Sequence, residues 1–562
     1  MYNQFQTTIP KNAHNTALLN AVRQAAKPYI GAPIPALPYS KFRLFFETGS
    51  RVEYEAAYIE HRKRMNFFTA LSLGDPDPKW ILELCDTLFA VCDEFTWSFP
   101  AHLKHPDDAA ACVTQVDLFS AETGFALCEI LYLLKDRLPK LICDRIRYEV
   151  NRRILTPYLL GQAEFLQTNN WAAVCAGSVG CMLIYLSMDK EFALAKSRLL
   201  ASMQSFIGGY QPDGCCLEGA LYWSYGFGYF CFFAALLRDY TKGEVNLFAD
   251  KKVARMAAFG QNAFLRGNIV LPFSDAPHNL TLHVGLSHFL AREYPHISVP
   301  APCCESALGD DTRYRFADFI RDFFWYDESL AKAPKQLDKM CCYPDSQWFI
   351  RRFSDGAFAA KGGHNNEPHN HNDVGGFVLL SGDDLIVDDL GWPEYYAGYF
   401  GPNRYDDICA SAHGHSVPVL NGQVQTAGAD RYAALLCAEP GQFSLDLTHA
   451  YPEVPLDQFT RTFFLSETAI RLTDRFLGAL HSVSERFVTR IPPQIEKNSV
   501  HIGNWRLRCE QSAKITVSKR DFSPRLSICK MDMKPVETAY FIDFSFLPSD
   551  TSFALQFLFE KC

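Results

Sequence analysis

The chain has 562 residues, too many for one ordinary hydrophobic core, so two or three structural units are expected. Nearly half of it is hydrophobic and 14% is aromatic, with a formal charge of −9, no basic run and no nucleic-acid-reading motif; this argues against a nucleic-acid binder, and an anionic ligand would need a local basic pocket. Nineteen cysteines, an odd count with no C-x-x-C pair and with adjacent pairs at Cys215-Cys216, Cys303-Cys304 and Cys341-Cys342, fit neither a spaced disulfide framework nor a zinc ribbon. Reduced thiols in a cytosolic protein are expected instead.

The N-terminus has no basic segment followed by a long apolar core, so no signal peptide is read and a cytoplasmic protein is expected. Residues 1–45 are Pro- and Ala-rich with weak periodicity and read as an arm laid over the surface. From Glu55 to about Leu330 the signals are helical. Glu55–Leu73, Lys79–Trp97, Val116–Leu134, Leu141–Leu155, Trp171–Ser187, Glu191–Ile207, Glu218–Asp239 and Lys251–Phe264 carry apolar residues at three- and four-residue spacing. Short breaks such as Gly74-Asp75-Pro76 and Gln211-Pro212-Asp213-Gly214 predict helical hairpins, which closed into a ring would make an (α/α) toroid; periodicity alone leaves closure open. Gly219 to Leu237 is uncharged and long enough to span a bilayer, but it stands alone and is studded with Tyr, Ser and Gly, so a helix buried in a soluble unit is expected, with no membrane partner.

After Pro334 the pattern becomes short β-type runs punctuated by turns. These include Trp348–Phe353, Gly376–Ser381, Asp384–Val387, Ser416–Leu420, Phe459–Leu465, Ala469–Asp474, Ser484–Ile491, Lys514–Val517 and Thr538–Phe546. The expected fold is therefore multidomain α + β: an arm over 1–45, a helical domain over 46–335 and an antiparallel β-sandwich over 340–562.

Chemistry-bearing residues cluster in both halves. Thr168-Asn169-Asn170-Trp171 stands at a helix start, where one asparagine caps the helix and the other amide is free for a ligand oxygen. Tyr222 and Tyr225, three apart, share one helix face and suit acid–base work if they face a cleft. The turn ending in Ser274-Asp275 is a weaker polar signal placed to line the same cleft. The densest stretch is His364 to Gly376, with three histidines, four asparagines and two acids. In an extended segment His369 and His371 would share one face, with Asp373 next along it, which suits a metal site, a proton-transfer site or one of each. His371, one of Asp388 and Asp389, and His415 would then make a His/Asp/His metal set.

The order of these motifs resembles the heparinase II/III family of polysaccharide lyases, from about residue 100 to 430. The resemblance rests on Asn-Asn-Trp, then Asp213-Gly-x-x-x-Glu218-Gly-x-x-Tyr222-x-x-Tyr225, then His369-Asn-His371-Asn-Asp373, Asp389-x-Gly391 and a later histidine. It implies a toroid paired with a β-sandwich and an active site between them. It implies that Asn170 neutralises a uronate carboxylate, that Tyr225 (or Tyr222) and His369 are catalytic, and that Asn169, Trp171, Glu218, Tyr222 and Arg404 contact substrate. His371, Asp389 (or Asp388) and His415 (or His413) would hold a divalent metal, Zn2+ in most relatives, that supports rather than performs the reaction. The implied partner is an anionic oligosaccharide, of heparan type first and alginate type next, cleaved by β-elimination, in which Tyr225 serves as base, acid or both if it begins as phenolate, with His369 the second base for the opposite epimer; oligomeric state is not implied. His415-Ser416 departs from the family's His-Asn-Thr, and the missing export signal favours short, imported oligosaccharides. The competing expectations are a glycoside hydrolase using Asp213 with Glu218, and a non-catalytic glycan binder.

Overall fold

The computed structural model describes residues 5, 8–331, 337–395, 398–524 and 536–562. The expected boundary at 335 lies outside the described residues, as do 1–4 and 6–7 of the expected arm.

The first 45 residues are more than an arm. A helix spans Ala13–Ala26, opened by the Asn12 side chain accepting the Asn15 N–H, and it packs on the long helix Val52–Gly74. Only Val22 and Ala26 supply its buried apolar face, too few to give a readable period. All eight expected helices are present, at Val52–Gly74, Lys79–Asp93, Leu118–Leu134, Lys140–Val150, Gly177–Tyr185, Asp189–Gly209, Ala220–Tyr240 and Lys251–Asn262. Two more follow at Val284–Glu293 and Phe316–Phe324. The latter packs against Val52–Gly74, Leu118–Leu134 and Ala220–Tyr240, so the end of the helical half returns to its beginning.

Ala220–Tyr240 is long and apolar enough to cross a membrane, but 83% of its apolar window is buried inside the protein. Glycine permits this depth: a Cβ on Gly180 would stand 2.2 Å from the ring of Phe233, so Gly177–Tyr185 approaches this helix closely. The described cysteines are free thiols, as the unspaced cysteine pattern suggests.

Among the described residues the larger sheets have eight, five and four strands, all antiparallel. The five-stranded sheet is a meander of Met340–Tyr343, Trp348–Phe353, Gly356–Lys361, Phe377–Ser381 and Asp384–Val387. It is a shared middle layer rather than one face of a separate sandwich. Trp348, Ile350, Ala357, Ala359, Val378 and Leu380 join the core of the helical half. Their neighbours Phe349, Phe358, Ala360, Phe377 and Leu379 join the core formed with the eight-stranded sheet. Alternation with period two thus feeds two cores, which is why these strands read as unbroken apolar runs. Burying Phe349, Phe358 and Phe377 contributes about 1.5–3 kcal/mol each.

A fully buried arginine fixes the loops above this layer. Arg461 pairs with Asp474 at 2.6 Å and Glu485 at 2.9 Å, and donates to the carbonyls of Gly375 at 3.2 Å and Ser416 at 3.1 Å. The two histidine-bearing loops, 366–376 and 411–416, are therefore tied to one point.

Candidate active site

A cleft of about 1340 Å³ lies between the two halves. The helical half contributes Asn169, Asn170, Trp171, Glu218, Tyr222 and Tyr225; the β half contributes His369, Trp392, Tyr395, Tyr399 and Phe400. The three residues expected to be catalytic, 55 and more positions apart in the chain, face this one space.

The asparagine pair divides its work. The Asn169 side chain accepts the Trp171 N–H at 3.1 Å and caps the turn. Asn170 is buried at the cleft wall, just before the π-helical turn Ala172–Ala176, a feature frequent at functional sites. It is held against Gly226, where a Cβ would lie 2.9 Å from the Asn170 Cβ. Gly226→Ala should therefore push the Asn170 turn out of place and lower kcat by about ten- to a hundredfold. Initial-rate assays beside a thermal melt check this, because the melt should move far less than kcat.

The helix carrying the tyrosines starts after Asp213, whose carboxylate accepts the N–H groups of Cys215 at 3.0 Å and Ser346 at 2.8 Å. Gly219, with φ +96°, then turns the chain into the helix against Ala276. The ring of Tyr222 stacks on His369 with centroids 4.0 Å apart, and its hydroxyl shares a 2.9 Å hydrogen bond with that of Tyr395. Tyr225 donates its phenolic proton to Glu122, and the Arg315 guanidinium lies 4.1 Å over its ring. Burial and then the Glu122 carboxylate push the Tyr225 phenol well above its ordinary range, against the opposing Arg315 charge. Tyr225 is thus held toward the neutral phenol rather than the phenolate: its nearest partner is an acceptor that favours keeping the proton.

Burial likewise pushes the Glu122 carboxyl up to about 7 from 4.5, although Arg315 and the Tyr225 hydroxyl oppose the shift. A carboxyl raised on folding contributes its full stability below pH 4.5 and loses it as pH rises through about 7. Glu122→Gln should therefore stabilise the protein relative to wild type by up to about 3 kcal/mol at pH 8 and by little near pH 5. Denaturant unfolding of both proteins at the two pH values tests the sign.

His369 sits in a tight turn, not in the extended segment expected, and its φ of +56° is a strained value for a non-glycine residue. Strand alternation therefore does not aim the two histidines together; a carboxylate does. Asp275 accepts from His369 Nδ1 at 2.6 Å and from His371 Nε2 at 3.1 Å. Tyr395, Tyr399 and Arg404 also donate to it, at 2.8, 2.9 and 3.1 Å. Burial alone would push the Asp275 carboxyl up, but the histidine donors and Arg404 outweigh it and hold it well below the usual range. With Nδ1 engaged, His369 turns Nε2 toward Glu218, 3.4 Å from its carboxylate.

Behind the cleft, His371, Asp373, Asp389 and His415 form a buried group whose ligand atoms all lie within 4.8 Å of one another. Here the expected metal set meets, with Asp373 as a fourth member. The donor atoms suit a cation. His371 Nδ1 and Asp373 Oδ2 are buried without a hydrogen-bond partner, and His415 Nδ1 lies 3.2 Å from Asp389 Oδ2. His415 gives its other nitrogen to the Cys409 carbonyl at 2.8 Å. Asp389 also accepts the Gly391 N–H at 2.9 Å, the local reason for an Asp-x-Gly spacing. Burial would push the Asp389 carboxyl up, but His415 and His371 outweigh it and hold it below its ordinary value.

Several expected residues stand elsewhere. Arg404 is buried behind the cleft, on Asp275 and the Asn370 carbonyl, and is not a lining residue; the arginines that line it are Arg51, Arg313 and Arg315. Asp388 pairs with His278 and Arg490, and His413 is exposed, so neither belongs to the metal group. Asp213 is a turn cap that does not line the cleft, so the carboxylate pair of the hydrolase expectation does not assemble. Glu122, Arg315, Tyr395 and Tyr399 were not singled out, since each is an ordinary residue in an ordinary local pattern.

No family model matches the sequence, and no curated protein matches it. Solved structures do. The architecture, a helical half followed by antiparallel sheets with a cleft between, is that of polysaccharide lyases. It matches the heparan sulfate lyase HepC from Pedobacter heparinus with a TM-score of 0.61 and 12% identity, over 97% of this chain and 88% of that one. Against heparinase III the TM-score is 0.62 at 13% identity, over 99% and 93%. Against the Streptomyces coelicolor A3 chondroitin AC lyase in complex with chondroitin sulphate it is 0.52 at 11%, over 97% and 82%. The chain therefore has a polysaccharide-lyase fold.

Proposed function

We propose that the protein is a lyase that cleaves 4-linked uronate oligosaccharides by β-elimination and leaves a 4,5-unsaturated uronate end. The observation that carries this reading is the convergence of Asn170, Tyr225 and His369 on one cleft between the halves. The proton on C5 of a uronate is a very weak acid while the carboxylate is charged. A placed amide, Asn170, neutralises that charge and lets it spread into an enolate-like group. His369 serves as the base through Nε2, since Nδ1 is committed to Asp275. Tyr225, held as a neutral phenol, is the acid that protonates the O4 leaving group. Each positioned proton transfer is worth about a hundred- to ten-thousand-fold.

Within the same proposal the helices close into an (α/α) toroid, which the packing of Phe316–Phe324 on Val52–Gly74 supports. The metal is Zn2+, which the nitrogen and carboxylate donors of His371, His415, Asp389 and Asp373 suit. When bound, it supplies rigidity to the His371 loop and takes no part in proton transfer. The substrate is of heparan type before alginate type, short and met in the cytoplasm. Arg51, Arg313 and Arg315 in the cleft wall are each already paired with a carboxylate, and Glu218, Asp310, Asp311 and Asp318 also line it; this balance favours sparsely sulfated chains.

A panel of heparan-, alginate- and chondroitin-type oligosaccharides, read by ultraviolet absorbance and product mass, tests the reading. A lyase product absorbs and has gained no water. A product that has gained water points to a hydrolase, and binding without turnover to a glycan binder.

A further inference from the structure

Asp275 belongs neither to the reacting groups nor to the metal group, yet it touches both. It comes from the loop of the helical half that precedes Val284–Glu293, whereas both histidines come from the β half. It is fully buried, and its two oxygens are divided between the rings: Oδ2 faces His369 Nδ1 at 2.6 Å and Oδ1 faces His371 Nε2 at 3.1 Å. A carboxylate only accepts, so each of these ring nitrogens carries the proton. In a neutral ring the remaining nitrogen is then the lone pair. On His369 the lone pair is Nε2, on the cleft side beside Glu218. On His371 it is Nδ1, the buried atom without a hydrogen-bond partner that joins Asp373, Asp389 and His415.

We propose that Asp275 is a positioning residue that couples the metal group to the base, by imposing opposite ring tautomers on His369 and His371 through one carboxylate. The role of His369 as base rests on the lyase reading; the coupling between the two rings does not. Loading the metal on His371 Nδ1 pulls on Oδ1, and the same rigid carboxylate transmits the change to His369. Tyr395, Tyr399 and Arg404 complete its hydrogen bonding and keep it from rotating toward either ring.

The test is Asp275→Asn, an isostere with one accepting oxygen and one donating nitrogen. An amide cannot accept from both rings, so one tautomer has to change. In the full-length protein two readouts are followed: cobalt(II) affinity by competition with a chelator, and the ring ¹⁵N shifts of His369, assigned by a His369→Gln variant. The expected result is a loss of cobalt affinity of about ten- to a hundredfold, or retained affinity with the His369 ring switched to its other tautomer. His369→Gln should keep cobalt affinity within about twofold, because His369 is not a ligand. If Asp275→Asn keeps both wild-type affinity and the wild-type His369 tautomer, the coupling is overturned. Should that variant fail to fold, the wild-type protein carries the test: withdrawing zinc must shift the His369 ring signals and restoring it must reverse the shift, and unmoved signals reject the proposal. Neither readout needs turnover. A wild-type protein inactive on every uronate would therefore remove the lyase reading without touching this one.

Discussion

Tyr225→Phe and His369→Ala should each lower kcat on a cleavable uronate oligosaccharide by about a hundred- to ten-thousand-fold. For Tyr225→Phe, KM should stay near wild type, because the ring remains under Arg315 and only the transferable proton is lost. Tyr222→Phe is the control that separates the two tyrosines. Its hydroxyl bonds Tyr395 rather than a carboxylate, and its ring stacks on His369, so removing the oxygen should cost far less. Initial rates of ultraviolet-absorbing product measure all three. If the large loss follows Tyr222→Phe and not Tyr225→Phe, the acid has been assigned to the wrong residue.

Removing His371, proposed above as a metal ligand, should destabilise the protein as well as silence it. Asp373 and Asp389 are buried side by side, and among the described residues their cationic neighbours are Lys361, 2.9 Å from Asp373, and the histidines. A divalent ion would add to the compensation that the lysine and the histidines already give these two buried carboxylates. A ligand present at a hundred to a thousand times its Kd contributes about 3–4 kcal/mol to stability, so in a chain of this length His371→Ala or chelation should lower Tm by roughly 3 °C. His413→Ala, in the other histidine-bearing loop and exposed, should leave Tm and metal content unchanged. Differential scanning calorimetry with metal analysis checks both variants. A His371→Ala protein that melts with wild type would remove the metal from the account of stability.

Much of the helical half was legible in the chain. Apolar spacing located Val52–Gly74 and Ala220–Tyr240 to within a few residues, because a helix is stabilised by neighbours three and four positions away. The sheets were less legible. Gly356–Lys361 went unassigned because its one large apolar side chain, Phe358, gives no readable alternation, and Ser552–Lys561 because it takes its partners from far along the chain. The geometry inferred from the histidine motif was wrong: His369 is in a left-handed turn, and a shared carboxylate, not pleat alternation, aligns it with His371.

Local order in the chain carried the two textures, the position of the helices, the capping role within Asn169-Asn170, and the histidine and aspartate spacing of the metal group. All but the last depend on residues a few positions apart; His371, Asp389 and His415 stand 18 and 26 positions apart and were linked by the order of motifs. Packing decided which acid meets which base. Asp275 lies 94 positions before His369, and Glu122 lies 103 before Tyr225, yet these contacts orient one imidazole ring and raise one phenol's affinity for its proton. Proton affinity depends on charges and burial within a few ångströms, and those distances exist only once distant segments have been folded against each other.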